Sequence, residues 1–149
     1  MSVPADFRGV LEANDPKWAI GLSATMILQY SDDLTDHLRV WSVEEITKIR
    51  ERIRKMPAGR NKNAMSYFYF TQTSPISVDK DGRIVLPLRF REKLGLGEGE
   101  LTFLGYGDYF ELWKSETFAA TKSLDIASWL AEQEEGFDSL SLLEPAPPE

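Results

Sequence analysis

The chain contains no cysteine. That excludes a disulfide framework, thiolate chemistry and every cysteine-based metal site, and it fits a reducing compartment. Histidine is almost as scarce: His37 is the only one, between Asp36 and Leu38 at the exit of a predicted hairpin. One imidazole and no thiol support neither a common zinc site nor a thiol nucleophile. A phosphate-cradling G-x-x-x-x-G-K loop and a G-x-S-x-G nucleophile elbow are both missing. Asp32, Asp33 and Asp36 lack the glycine and closing glutamate of a calcium loop and read as a solvated turn. We therefore expect no enzyme, no cofactor and no resident metal. No apolar run approaches the roughly 18 residues of a membrane span. No apolar segment follows a basic start in Met1–Arg8, as a secretion signal requires. The expectation is a cytoplasmic, soluble protein with no membrane partner.

What is present is enough for a packed core. The 149 residues are 42% hydrophobic, with 8 Phe, 5 Tyr and 4 Trp, and suit one domain or two very small ones. The net charge of −7 argues against a generic nucleic-acid binder. Its distribution matters more. Ala131–Glu149 holds six acidic residues and no Lys or Arg, whereas Val43–Asn63 holds seven Lys or Arg against three Glu. An acidic tail and a basic middle share one chain.

Along the chain, Phe7, Val10 and Leu11 suggest a short first strand over Asp6 to Asn14, turned at Asn14-Asp15-Pro16. A second apolar run, with Trp18 and Ile20, spans Lys17 to Leu22. Thr25 to Tyr30 is β-branched and aromatic, and Leu38 to Trp41 alternates as a half-buried strand should. Ser42 with Glu45 has capping-box spacing, and Ile46, Ile49, Ile53 and Met56 recur at helical intervals before Pro57-Ala58-Gly59. A further helix is expected over Asn61 to Phe70. Glu100 to Leu104 and Asp108 to Trp113 predict strands joined at Gly105-Tyr106-Gly107, and Ser115 opens one last helix through Leu130. Beyond Gly136 the composition is that of a tail without fixed structure, in which Phe137, Leu140, Leu142 and Leu143 are able to dock on something.

The two halves repeat. Leu38-Arg39-Val40-Trp41-Ser42, with Glu44 and Ile46, matches Phe110-Glu111-Leu112-Trp113-Lys114, with Glu116 and Phe118. Met26 to Asp32 matches Thr102 to Asp108 at a slightly different offset. Units of this size do not bury their apolar faces alone, so pairing within and between chains is expected.

The most informative stretch is Val78 to Leu94. A polar turn, Asp79-Lys80-Asp81-Gly82-Arg83, leads into a predicted strand, Ile84-Val85-Leu86, closed by Pro87. Arg89 to Leu94 then reads as a short helix ended by Gly95. D-K-D-G-R-I-V-L-P, R-F-R-E-K-L-G-L and F-L-G-Y-G-D-Y-F-E-L-W together resemble the second repeat of the MraZ family over about Phe70 to Phe118. These are bacterial transcriptional regulators built from two AbrB-like units.

The resemblance implies an α+β fold with a mostly β core: tandem swapped-hairpin double-psi barrel repeats with flanking helices. It divides the chain into a first repeat with its basic helix (5–56), a linking helix (57–74), a second repeat with its helix (75–130) and an acidic tail (131–149). It further implies a nucleoid-associated homo-oligomer, in the family a ring, that binds repeated promoter boxes upstream of the division and cell-wall gene cluster. Lys80 and Arg83 become the leading DNA contacts, with Arg89 and Arg91 behind them, while Asp79 and Gly82 orient the loop. A Lys there suits phosphate as a point charge, and an Arg can also grip guanine.

Two plainer readings stand beside this. Asp79 and Arg83 latch a turn onto the barrel, and Lys48–Lys55 is simply the solvated face of a helix. The first repeat has Glu12-Ala13-Asn14-Asp15-Pro16-Lys17 where the second has its Gly-Arg turn, Gly21 where the second has Pro87, and only Leu22-Ser23-Ala24 in place of the short helix. With the net acidity, that motivates an alternative: an oligomeric interaction module with lost or weakened DNA binding. A third reading is an antidote-type regulator whose Phe137–Leu143 segment folds onto a protein partner.

Overall fold

The computed structural model describes residues 3–15, 24–79, 81–95 and 99–143. Its frame is a five-stranded antiparallel sheet with helices on both faces, an α+β arrangement. The strands are β1 (Ala24–Gln29), β2 (His37–Ser42), β3 (Thr73–Val78), β4 (Leu101–Gly105) and β5 (Tyr109–Lys114), in the order β3-β1-β2-β5-β4. The helices are α1 (Ala5–Ala13), α2 (Val43–Arg54), α3 (Arg60–Ser66), α4 (Leu88–Lys93), α5 (Ser115–Ala120) and α6 (Lys122–Ala131). A π-helical turn, Tyr67–Thr71, follows α3, and a 3-10 turn occupies Ser139–Leu143.

The repeat read from the sequence meets itself at the centre of this sheet. β2 and β5 pair antiparallel, with Arg39 opposite Glu111, Leu38 opposite Leu112 and Val40 opposite Phe110. The sequence match equates Leu38 with Phe110 and Val40 with Leu112, so partners and equivalents cross over. That is the signature of an approximate two-fold axis through Arg39 and Glu111. Each tryptophan packs against the ring opposite it across this seam: Trp41 tilted against Tyr109 at 5.1 Å, and Trp113 stacked on His37 at 4.5 Å. The strands flanking this central pair, β1 and β4, correct one detail. Ile27 pairs with Trp41 and Thr102 with Trp113, so Ile27, not Met26, is the counterpart of Thr102. A one-residue shift moves every side chain to the other face, and only the ladder reveals it.

The two faces differ. Met26, Leu28, Leu38, Val40, Ile76, Val78, Phe110 and Leu112 point one way and join Leu11, Ile84, Leu86 and Phe90 in the main core. Ile27 and Trp41 point the other way, against Ile46 of α2. That helix starts as its sequence predicts, with Ser42 Oγ accepting from the Glu45 N–H at 3.2 Å.

Three expectations are corrected. Residues Ala5–Ala13 are helical, not a strand. Phe7, Val10 and Leu11 stand at i, i+3 and i+4, a helical spacing, which places Leu11 in the core and Phe7 flat on Phe110 at 4.2 Å. Ile84-Val85-Leu86 alternates in burial but joins no ladder among the described residues. Alternation reports one buried face, which an extended lid satisfies without strand pairing. The single closing helix is two helices, broken at Thr121, whose hydroxyl bonds back to the Thr117 carbonyl at 2.7 Å. The run Lys17 to Leu22, with Gly21 and Leu22-Ser23, lies outside the described residues.

Candidate nucleic-acid interface

The Asp79–Arg83 turn is held by the Asp79 carboxylate together with its own backbone. Asp79 Oδ1 accepts the backbone N–H groups of Asp81 and Arg83, both at 2.8 Å. The Asp79 N–H donates to the Arg83 carbonyl at 3.0 Å, and the Gly82 N–H to the Asp79 carbonyl at 2.9 Å. These N–H groups, that of Arg83 first, hold the Asp79 carboxyl below its usual range, with the nearby charges of Arg83 and Arg8 adding to the effect. So Asp79 binds backbone, and no ion pair to the Arg83 guanidinium forms among the described residues. Arg83 is exposed. Lys80 lies outside the described residues.

Gly82 is required by its backbone conformation, and it lies against Arg8. Its φ of 78° is the left-handed turn conformation, and a Cβ there would come within 2.6 Å of Arg8 Nη1. The neighbour is informative, because Arg8 belongs to α1, in the half of the chain that lacks its own Gly-Arg turn. The Val3 N–H also donates to the Gly82 carbonyl at 2.7 Å. The first half therefore braces the second half's turn and brings a guanidinium to it. Sequence reasoning missed Arg8, since a strand over these residues gave it no such neighbour. Helical spacing of Phe7, Val10 and Leu11 was the signal that could have found it.

Beyond the turn, Ile84 and Leu86 are buried while Val85 is 86% exposed. Pro87 precedes α4, and Phe90 and Leu94 anchor that helix in the core. Gly95 closes it at a φ of 64°. Arg89 and Arg91 are both exposed, but two residues apart on a helix they face opposite ways. Arg89 lies over Phe90 and Tyr30, at 4.6 and 5.2 Å. Arg91 borders a recess with Ile84, Val85 and Leu86, on the segment leading from the turn. Lys93 donates to the Tyr30 and Ser31 carbonyls at 2.6 and 3.0 Å, tying α4 to the β1–β2 hairpin. Burial lowers its pKa, while Asp32 and Asp33 oppose that shift. The structure thus gathers Asp79, Gly82, Arg83 and Arg8 at one turn, sets Arg91 on the segment that follows, and engages Arg89 with aromatic rings.

On the opposite face, Glu111 is 4% exposed and organises a polar network. It accepts from Lys122 Nζ at 2.6 Å and Trp113 Nε1 at 3.0 Å, and His37 Nε2 stands 3.3 Å away without hydrogen-bond alignment. Burial pushes the Glu111 carboxyl up, but the Lys122 and Trp113 hydrogen bonds together hold it below its usual value. His37 is lowered, chiefly by burial. This network fastens the β5–α6 connection to the sheet and lies away from the turn.

The family profile described as "MraZ protein, putative antitoxin-like" matches residues 69–138. Relatives named "Transcriptional regulator MraZ" match almost the whole chain. The one from Ruegeria sp. (strain TM1040) is 33% identical over 147 residues, covering 98% of this chain and 87% of its own. That from Cereibacter sphaeroides (strain ATCC 17029 / ATH 2.4.9) is 39% identical over 156 aligned positions, covering 97% and 87%. A more distant one, from Rickettsia bellii (strain OSU 85-389), is 26% identical over 119 residues, covering 79% and 73%.

Proposed function

The chain belongs to the MraZ family, and on that premise we propose that it is a cytoplasmic, nucleoid-associated transcriptional regulator that binds repeated promoter boxes as a homo-oligomer. The observation that carries this reading is the Asp79–Arg83 turn. Its backbone is held by the Asp79 carboxylate and by its own amide–carbonyl bonds, and its arginine is exposed with no ion-pair partner among the described residues. A rigid turn that presents a free guanidinium costs little ordering on binding. The guanidinium fork suits a phosphate, or guanine O6 and N7 in the major groove. Arg8, paired at 3.9 Å with Glu12 on its own helix, brings a second guanidinium beside it, Lys80 is a phosphate contact on the same turn, and Arg91 extends the strip. Arg89 is a weaker contact, because its guanidinium is engaged with Tyr30 and Phe90.

One such turn per chain binds weakly. Repeated promoter boxes and an oligomer raise affinity through effective concentration. In this reading those boxes lie upstream of the division and cell-wall gene cluster, and the chain is arranged as tandem AbrB-like swapped-hairpin barrels. The crossover of β3 onto β1 supports that arrangement. The net charge of −7 and the single Gly-Arg turn favour the second reading, an interaction module that has lost DNA binding.

The test is binding to the chain's own upstream DNA against a scrambled duplex, at two salt concentrations, for the wild type and Arg83→Ala. Preference for the upstream DNA, steep weakening with salt and loss of that preference in Arg83→Ala are expected. Equal binding to both duplexes by the assembled wild type would support the interaction module instead.

A further inference from the structure

After Lys122, α6 leaves the body of the protein. Every residue from Ser123 to Leu130 is exposed, and no residue of this ten-residue helix is buried. Ile126, Trp129 and Leu130 share one side at i, i+3 and i+4 and are 58%, 40% and 55% exposed. Isolated helices shorter than about 12–15 residues are marginal in water, so an amphipathic helix of this length takes its stability from something that covers it. Among the described residues, the edge of Phe137 on Trp129, at 5.6 Å between ring centroids, is the one aromatic contact on this arm. From Ser123 to Leu143 the arm also carries Asp125, Glu132, Glu134, Glu135 and Asp138, and no Lys or Arg.

A surface of matching character lies elsewhere on the chain. Ile49, Ile53 and Met56 of α2 and its C-terminal end form, with Met65 of α3, an apolar cleft of about 330 Å³ that Arg52 also lines. Lys48 and Arg54 are paired with glutamates on their own helix. Arg52, Lys55 and Arg60 have no ion-pair partner among the described residues. One surface is apolar with an acidic surround, the other apolar with unpaired basic groups.

We propose that the α6 arm of one copy seats in the basic cleft between α2 and α3 of a second copy, Trp129 and Leu130 filling the cleft against Arg52 and Lys55. Such a contact uses a different patch on each copy, so it is head-to-tail, and every copy keeps one arm and one cleft to offer. Acidic residues around the arm and basic residues around the cleft give it orientation and exclude an arm-to-arm pairing, where like charges would meet. The inference deepens the assembly half of the proposed function and is independent of its DNA half.

Two full-length variants test it. Trp129→Ala/Leu130→Ala spoils the arm, and Arg52→Glu/Lys55→Glu spoils the cleft. All four side chains are solvent-accessible, so folding is retained, which circular dichroism checks. By sedimentation, each variant alone is expected to be monomeric at a concentration where the wild type is assembled. An equal mixture is expected to give a one-to-one dimer and nothing larger, because one intact arm and one intact cleft remain. Raising the salt should weaken that dimer. The proposal is overturned if the mixture stays monomeric, if either variant assembles alone, or if the wild type is monomeric throughout. It is also overturned if the cleft variant keeps its mass and loses DNA instead, which would make this basic surface a nucleic-acid contact. A wild type that assembles as described but ignores its upstream DNA leaves this inference standing and removes only the DNA reading.

Discussion

Replacing Glu111 with alanine should be among the most costly single changes in this protein. Its carboxylate is buried and is shared by Lys122 at 2.6 Å and Trp113 Nε1 at 3.0 Å. In Glu111→Ala the indole N–H loses its acceptor in a residue only 5% exposed, which costs about 1–3 kcal/mol. Lys122 retains a quarter of its side-chain exposure, so its ammonium can rehydrate; losing that pair adds on the order of 1 kcal/mol and no more. The sum is about 2–4 kcal/mol, or roughly 5–15 °C in Tm for a chain of this size. Glu111→Gln keeps an oxygen for Trp113 and should lose only about 1 kcal/mol, the charged part. The assay is urea unfolding followed by tryptophan fluorescence at fixed protein concentration, which keeps any self-association constant between variants. Equal losses in the Ala and Gln variants would refute the indole account. A loss under about 0.5 kcal/mol in Glu111→Ala, typical of an ordinary surface change, would refute the network itself.

Other consequences are equally concrete. Ser42→Ala removes the cap of α2 and should cost about 0.5–2 kcal/mol, read as a lower urea midpoint with an unchanged slope. The folded-state pKa of His37 is lowered, so the unfolded chain takes up the proton first. Its contribution to stability is therefore full above about pH 6.5 and is lost as pH falls through the lower folded value. Urea midpoints measured from pH 7.5 downward should fall in the wild type, and by less in His37→Gln; parallel profiles would exclude His37. Arg8→Gln should weaken upstream-DNA binding and reduce the salt slope by about one, whereas Arg8→Lys should restore the slope; an unchanged slope in Arg8→Gln would leave Arg8 as a brace alone.

The parts of the candidate site that were legible in sequence are those written in local chemistry. Asp79, Gly82 and Arg83 were identifiable because a turn needs a backbone acceptor and a positive φ at fixed spacing, and the structure meets both needs within five residues. The α2 cap and the β4–β5 hairpin were legible for the same reason. Arg8 was not. Its role depends on where α1 lies, and α1 lies on Phe110 and the Gly82 turn, contacts made across half the chain's length or more. Arg89 and Arg91 looked equivalent in sequence, and the helix separates them by turning one toward aromatic rings.

By itself the sequence determined the elements with local causes: the strands Thr25 to Tyr30 and Leu38 to Trp41, the capped basic helix, the Gly-Arg turn, the internal repeat and the acidic end. It also carried the family, since a turn, a proline and a strand pair at fixed spacing are a property of the chain alone. Tertiary structure decided what depends on partners distant in sequence. It set the two halves about an axis through Arg39 and Glu111, and it fixed the flanking strands β1 and β4 one residue from their sequence match. It laid the Ala5–Ala13 helix on the core face of the sheet, and it broke the last helix at Thr121, where Lys122 reaches Glu111. Local propensities are worth tenths of a kcal/mol per residue, whereas burying a large apolar side chain is worth about one or more, so where the two disagree the packing wins.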